Sequence, residues 1–163
     1  NSTAPQVTTA MSPVGNIDTL HATVELNHQS VPDWAPGGVH LVPWEGEYYQ
    51  DVHKFSNGAV MDGGAEVVRW TQVMKLNGSK LTYSVVDGSS QTWGAFGGQG
   101  YLRFTVDVTL DNLNNYDPAV SVQNSGVSYA GNRVTKLVLL RVRRVRADGS
   151  VQTDDTPRVV HEN

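Results

Sequence analysis

Cysteine is absent from the 163 residues of this chain, which excludes disulfide bridges, thiolate metal sites and a cysteine nucleophile. Charged residues are scarce, at 17% against the roughly 25% usual in globular domains, which argues against disorder driven by charge repulsion. The net charge of −4 argues against a nucleic-acid-binding protein, which normally carries a basic surplus. No apolar run approaches the roughly 18 residues of a membrane span. A length of 163 residues fits one globular domain with its own hydrophobic core.

Catalytic motifs are also missing. There is no Gly-x-Ser-x-Gly nucleophile elbow, and the five histidines show no spacing typical of metal ligands. Paired carboxylates could still serve glycoside hydrolysis, with Glu45, Glu47, Asp62 and Glu66 as the candidates. The sequence favours a protein without enzymatic activity and keeps a secreted glycoside hydrolase as a third alternative.

Strand signals dominate the chain. Leu20, Ala22, Val24 and Leu26 alternate with polar residues, which is typical of a half-buried strand. Asn77-Gly78 and Asp148-Gly149 predict hairpin turns between β-rich runs. The sequence therefore predicts an all-β fold, a single antiparallel β-sandwich of jelly-roll or immunoglobulin-like type with about nine strands. The domain is expected over residues 17–163, preceded by an extended N-terminal arm over residues 1–16.

Two segments need interpretation. Residues 65–76 fit both a helix and a strand, and the Asn-Gly turn that follows favours the strand. Val134 to Arg146 predicts the longest strand, and its centre, Leu137 to Leu140, is apolar on both faces. Such a strand is expected to lie deep in the protein. Its arginines are expected to pair across the Asp148-Gly149 turn with Asp154 and Asp155.

The N-terminal arm carries a weak alternating pattern in which Pro5, Val7, Thr9 and Met11 share one side. Such a segment can add as a strand to its own sheet or to that of a neighbouring copy. The second mode would make the chain a subunit of a filament or shell. Deletion of residues 1–13 is then expected to leave a folded monomer.

Aromatic residues in loops suggest a second kind of site. Flat rings at loop tips can stack on sugar faces, and the candidates are Trp34, Trp44, Tyr48, Tyr49 and Trp93. For Trp93 and the neighbouring Phe96 the flanking glycines favour another interpretation, in which the rings fold back as a plug over the sandwich.

Calcium is the one metal for which the sequence offers ligands. Asp111, Asn115 and Asp117 lie in a loop rich in oxygen-bearing side chains. The EF-hand spacing fails there, and Asn and Asp are also common turn formers. The sequence favours the turn, so no cofactor is expected and calcium is the alternative.

Together these observations predict a non-enzymatic, self-assembling structural protein that contacts copies of itself through its arm and sheet edges. A secreted carbohydrate-binding module with a polysaccharide ligand is the alternative. The polar start of the chain, Asn1 onward, resembles a mature chain after removal of a signal peptide. An extracellular or cell-surface location is therefore expected.

Overall fold

The computed structural model describes residues 7–26, 38–46, 48–49, 53–55, 65–98, 100–121 and 134–162. Within these residues the protein is all-β, and no helix is present. Every strand pairing in this part of the chain is antiparallel. The fold class predicted from the sequence is confirmed at this level.

The strands are shorter and more numerous than the nine expected, and they form four separate antiparallel sheets. A single nine-stranded sandwich is therefore not confirmed. One reason is that the predicted long strand from Val134 to Arg146 is divided into β11 and β12 at Leu140 and Arg141. In chain order the strands are β1 (Val7–Ser12), β2 (Leu20–Leu26), β3 (Val39–Glu45), β4 (Tyr48–Tyr49), β5 (His53–Phe55), β6 (Arg69–Asn77), β7 (Lys80–Ser90), β8 (Gly94–Phe96), β9 (Arg103–Asp107), β10 (Asp117–Ser121), β11 (Lys136–Leu139), β12 (Val142–Val145), β13 (Val151–Asp154) and β14 (Arg158–Glu162).

The largest sheet has the order β10-β1-β2-β3-β4, with β5 also paired to β3. Strand β1 lies inside this sheet, because Thr9 is the register partner of Val24 on one side and of Val120 on the other. Both edges of β1 are thus paired within its own chain. The expected boundary between arm and domain, at residue 16, falls in the turn that joins β1 to β2.

The second sheet contains β6, β7 and β8 in that order, and β9 pairs with the other part of β7. The ambiguous segment 65–76 is a strand from Arg69 onward, as the Asn77-Gly78 turn indicated. Gly78 has φ +57°, a left-handed conformation that glycine adopts without steric cost. The predicted hairpin is therefore confirmed.

One hydrophobic core draws on both of these sheets. Val24 and Leu41 come from the six-stranded sheet, and Leu81 and Tyr83 come from the four-stranded sheet. All four are almost completely buried. A hydrogen bond of 2.8 Å from the Thr9 hydroxyl to the Gln72 side-chain oxygen also joins the two sheets. Alternation in β2, β7 and β9 supplies the apolar faces that this core buries.

The hydroxyl of Tyr83 is buried in that core and has no hydrogen-bond partner within the described residues. The ring packs on Phe104 at a centroid distance of 5.0 Å. Burial also raises the pKa of Tyr83 well above its usual value, so the hydroxyl is neutral.

Tyr83→Phe is expected to raise the free energy of unfolding by about 1 kcal/mol, because it removes a buried polar group that gains no bond on folding. Urea denaturation followed by tryptophan fluorescence measures this. Tyr116→Phe, at an exposed tyrosine, is the matched control and should change little. A loss of stability in the Tyr83 variant would show that its hydroxyl does find a partner.

The described glycine-rich residues 88–98 fold over the core. Trp93 and Phe96 are buried and meet edge to face, with ring centroids 6.0 Å apart. Gly88 lies directly beneath Phe96, since a Cβ on it would come within 2.3 Å of that ring. This is the plug arrangement, the second of the two interpretations drawn from the sequence.

The C-terminal segment forms a two-stranded antiparallel ribbon. Strand β11 pairs with β14, and β12 pairs with β13 around the predicted Asp148-Gly149 turn. The prediction that Leu137 to Leu140 lies deep in the protein is wrong. Leu139 is 36% exposed and Leu140 is 49% exposed. The apolar run is not covered because, in the described residues, this two-stranded ribbon pairs with no further strand.

Candidate functional site

The C-terminal ribbon, residues 134–162, is attached to the core at one end. Val134 is buried there, and Leu137 is half-buried against the same core cluster. The His161 ring lies within hydrogen-bonding distance, 3.0 Å, of the Val134 carbonyl oxygen. Towards the turn at Gly149 nearly all residues are exposed. The ribbon therefore presents most of its surface to solvent.

Large apolar side chains are concentrated on this ribbon. Six of the eleven exposed large hydrophobic residues of the described chain belong to it: Leu139, Leu140, Val145, Val151, Val159 and Val160. Val145 and Val151 are direct register partners and are 59% and 50% exposed. Isolated exposed apolar residues are ordinary, whereas large contiguous apolar patches are a feature of interaction surfaces.

The ribbon and the rest of the chain also carry net charges of opposite sign. It contains six of the 12 Lys and Arg residues and only four of the 16 Asp and Glu residues, so it carries +2 and the rest of the chain −6. Three ion pairs lie within it, and they occupy three of its acids: Lys136–Glu162, Arg141–Asp155 and Arg158–Asp154. The Arg141–Asp155 pair confirms the expected pairing across the turn for Asp155, whereas Asp154 pairs with Arg158 instead. Exposed pairs of this type contribute little stability.

Three arginines of the ribbon have no carboxylate partner among the described residues. Arg144 donates to the Asn114 side-chain oxygen at 2.5 Å, and Arg146 to that of Gln152 at 3.5 Å. Arg143 makes no such contact in the described chain. By strand alternation Arg143 shares a ribbon face with Val145 and its partner Val151. That face combines an apolar pair with an unpaired cation.

The outer edges of the ribbon are unpaired in the described part of the chain, since each of its strands has one partner only. An unpaired edge presents backbone donors and acceptors that can bind another strand. The sequence did not single out this surface, because valines alternating with arginines are also typical of an ordinary half-exposed strand. The sequence feature that could have indicated this surface is the apolar run at Leu137 to Leu140.

The residues predicted for the assembly arm lie within the chain's own sheet. Val7 is buried in the core cluster, Thr9 bonds to Gln72, and Met11 is half-buried in register with Ala22. Pro5 lies outside the described residues. Whether the arm also serves assembly stays a prediction.

The predicted ligand-binding aromatics are divided. Trp93 is buried in the core, and Trp34 lies outside the described residues. The backbone of Tyr48 and Tyr49 forms β4, and Tyr49 is the register partner of Trp44. Trp44 is half-buried, and its ring is nearly parallel to that of His21, with centroids 6.1 Å apart and 5° between the planes.

A polar network lies beside Trp44 on the same face of the six-stranded sheet. The Trp44 indole N–H donates to the Thr23 hydroxyl at 3.1 Å, and that hydroxyl donates to a Glu25 carboxylate oxygen at 3.0 Å. Glu25 and His40 are register partners, and both are buried. Alternation predicts Glu25 on the polar face of β2, but it gives no sign that this face is covered as well.

Burial lowers the pKa of His21, and the Thr19 backbone and the Asp18 charge oppose that shift only in part. His21 is therefore neutral at pH 7 and able to stack on Trp44 without carrying a charge. The network fixes the plane of the indole ring, which a stacking site requires.

The candidate carboxylates do not form a described catalytic pair. Glu66 accepts hydrogen bonds from the Thr92 N–H and hydroxyl at 2.8 and 2.7 Å. Burial alone would raise the pKa of Glu66, but these bonds outweigh it and lower the pKa. A general acid needs the opposite shift. Glu45 is exposed at the end of β3, whereas Glu47 and Asp62 lie outside the described residues.

The predicted calcium loop is a turn that packs on its neighbours. The Asn112 side-chain oxygen accepts the Asn114 N–H at 3.0 Å, a local turn bond of the kind expected for Asn. Asp117 begins β10 opposite Ser12. Among the described residues, no group of three or more His, Asp or Glu side chains could hold a metal ion. Calcium binding by Asp111, Asn115 and Asp117 stays a prediction.

In the part of the chain that the structure describes, no helix has the length and apolar character needed to cross a membrane. Comparison of the chain with protein-family models, with curated proteins and with solved structures finds no match.

Proposed function

We propose that this chain is a non-enzymatic structural subunit that assembles with copies of itself, and that the C-terminal ribbon is its main contact surface. The observation that carries this proposal is the group of six exposed apolar side chains on a ribbon with unpaired edges. Burying such a group in a neighbour yields roughly 25 cal/mol for each Å² of apolar surface removed from water. An extracellular location remains an expectation from the sequence.

The finer fold expected from the sequence, a β-sandwich of jelly-roll or immunoglobulin-like type, belongs to the same proposal. The six-stranded and four-stranded sheets would be its two layers. The shared hydrophobic core and the Thr9–Gln72 hydrogen bond support this arrangement. The ribbon would then extend from one end of the sandwich as an added element.

The role of the N-terminal arm is narrower than the sequence suggested. Because β1 is paired on both edges within its chain, it can join a neighbour only by leaving its own sheet, as in domain swapping. The ribbon needs no such rearrangement. In this proposal, assembly therefore uses the unpaired sheet edges before the N-terminal arm.

The double variant V145D/V151D is expected to reduce the mass of the assembly, because two charges would have to be buried in the contact. Size exclusion with light scattering measures the mass, and circular dichroism checks that the chain stays folded. The milder V145T/V151T keeps the β-branched shape. Val67→Asp makes the same change at a valine 63% exposed outside the ribbon and serves as control. Equal masses for the wild type and both ribbon variants would contradict the proposal.

A second candidate function is carbohydrate binding at Trp44. The observation that favours it is the half-buried indole, held in place by Thr23 and in register with Tyr49. Trp44→Ala is expected to abolish retention on a panel of insoluble polysaccharides, because the stacking surface is lost. Trp44→Phe keeps a flat ring and should retain part of the binding. Unchanged retention of the alanine variant, or none by the wild type, would exclude this site.

A further inference from the structure

An open groove of about 1190 Å³ lies on the body of the protein, outside the ribbon. One wall is the turn between β1 and β2 with the end of β3, and the other is the β6–β7 turn with the segment that follows β9. Its apolar lining includes Val14, Leu20, Val108 and Leu110. No residue of the ribbon lines it in the described chain, so the groove is a separate surface of the same molecule.

The charges around the groove are acidic. Asp18, Glu45 and Asp107 line it, and no lysine or arginine is among its described lining residues. Asp107 is bridged by Lys80 at 2.6 Å, whereas Asp18 makes no ion pair in the described chain. The groove therefore combines an apolar floor with a carboxylate rim. This is the complement of the ribbon face, which carries Val145 and Val151 beside Arg143.

Pairing of two ribbons through their β12 edges is disfavoured by charge. If the outer edges of β12 from two copies paired with each other, the series from Arg141 to Arg146 would face itself, and like charges opposite each other destabilise a sheet. The acids of the ribbon are mostly occupied by its own ion pairs. Exposed acids on the described body of the chain, such as Asp18 beside the groove, are opposite charges available to these arginines.

We propose that the ribbon of one copy docks in the acidic, apolar-floored groove of a second copy. The two surfaces differ, so the contact is heterologous, and an open complex keeps one free ribbon at one end and one free groove at the other. Copies therefore add head to tail and form an open chain or a closed ring. This inference rests on the proposed assembly function and names the surface that receives the ribbon.

Two variants that each lose one half of the contact provide the test. The ribbon variant is V145D/V151D. The groove variant is V14K/D18K, which replaces one apolar and one acidic lining residue of the exposed turn by lysines. Each alone is expected to remain a monomer near 17.7 kDa. A mixture of the two should form a two-chain complex and nothing larger, because the intact groove of the first accepts the intact ribbon of the second.

The outcomes separate the two proposals. A groove variant that assembles like the wild type, while the ribbon variant dissociates, would overturn the groove as acceptor and leave ribbon-mediated assembly standing. Two monomeric variants that fail to combine on mixing would also overturn it, since they indicate a symmetric contact. A wild type that stays monomeric at every concentration would overturn both proposals.

Engineered cysteines give an independent readout, because the chain contains none of its own. Val14→Cys in one copy and Val145→Cys in another should form a mixed disulfide under mild oxidation, since docking brings the two positions together. Val67→Cys replaces the groove cysteine as control and should cross-link at least tenfold less. Equal yields for the two pairs would contradict docking in the groove.

Discussion

A chain that lacks residues 1–13 is expected not to fold, although the sequence alone suggested a removable arm. Strand β1 (Val7–Ser12) occupies an inner position of the six-stranded sheet, so its loss leaves unpaired edges on both β2 and β10. It also removes Val7 from the core and the Thr9–Gln72 bond between sheets. Losses of this kind exceed the roughly 5–15 kcal/mol by which domains of this size are stable.

Urea denaturation of the shortened chain, followed by circular dichroism, is the measurement, and no cooperative transition is expected. A synthetic peptide of residues 1–16 should restore the transition by filling the vacant position. A peptide with Val7→Asp should restore it less well, because the charge would enter the core. A shortened chain that unfolds at the same urea concentration as the full chain would contradict the pairing.

Phe96→Ala is expected to lower the free energy of unfolding by about 3–5 kcal/mol, the range typical of a large aromatic residue removed from a core. Phe96 is 2% exposed and packs against Trp93 and over Gly88. Its removal opens a cavity that the glycine beneath it cannot fill. Urea denaturation gives the value.

Gly88→Ala provides the complementary test of the same contact. The added Cβ would lie 2.3 Å from two carbons of the Phe96 ring, so the ring must move and stability should fall by about 1–3 kcal/mol. In a background with Phe96→Ala the same change should cost less, since the ring is gone and only the Phe96 backbone oxygen, 2.6 Å from the added Cβ, still obstructs it. Gly98→Ala meets no atom within 4 Å, so any cost it shows comes from backbone strain at φ +77°, a strain that is absent at Gly88. Additive effects of Gly88→Ala and Phe96→Ala would show that they do not touch.

The local sequence pattern was sufficient to predict those strands that have one buried face and a turn-forming sequence beside them. Leu20–Leu26 and the hairpin around Asn77-Gly78 are examples, because alternation and turn chemistry are both short-range properties. The pattern could not show that β1 inserts between β2 and β10. Such a pairing joins segments more than a hundred residues apart, and the alternation of β1 is compatible with either of two partners.

The segment Leu137 to Leu140 shows a different limit. Apolar residues on both faces indicate that a strand is covered, but not by what. The pattern predicted that other parts of the same chain bury this segment, whereas the structure exposes Leu139 and Leu140. Burial of this segment by a second copy would account for both the apolar pattern and the exposure. For this reason the functional proposal is based on the ribbon.

The polar residues near Trp44 were missed for a related reason. Thr23 and Glu25 occupy the face of β2 that alternation assigns to solvent, yet they are 8% and 6% exposed. Their burial depends on neighbouring segments, and a sequence pattern carries no information on such contacts. Among the predicted aromatics, Tyr49 lies opposite Trp44 because the two residues are register partners in neighbouring strands.

The mass of the wild-type chain in solution, followed by light scattering over a hundredfold range of concentration, tests the central claim most directly. The account predicts species larger than one chain whose mass rises with concentration, and it predicts that V145D/V151D removes them while Val67→Asp does not. A single species of 17.7 kDa at every concentration would contradict assembly through the ribbon.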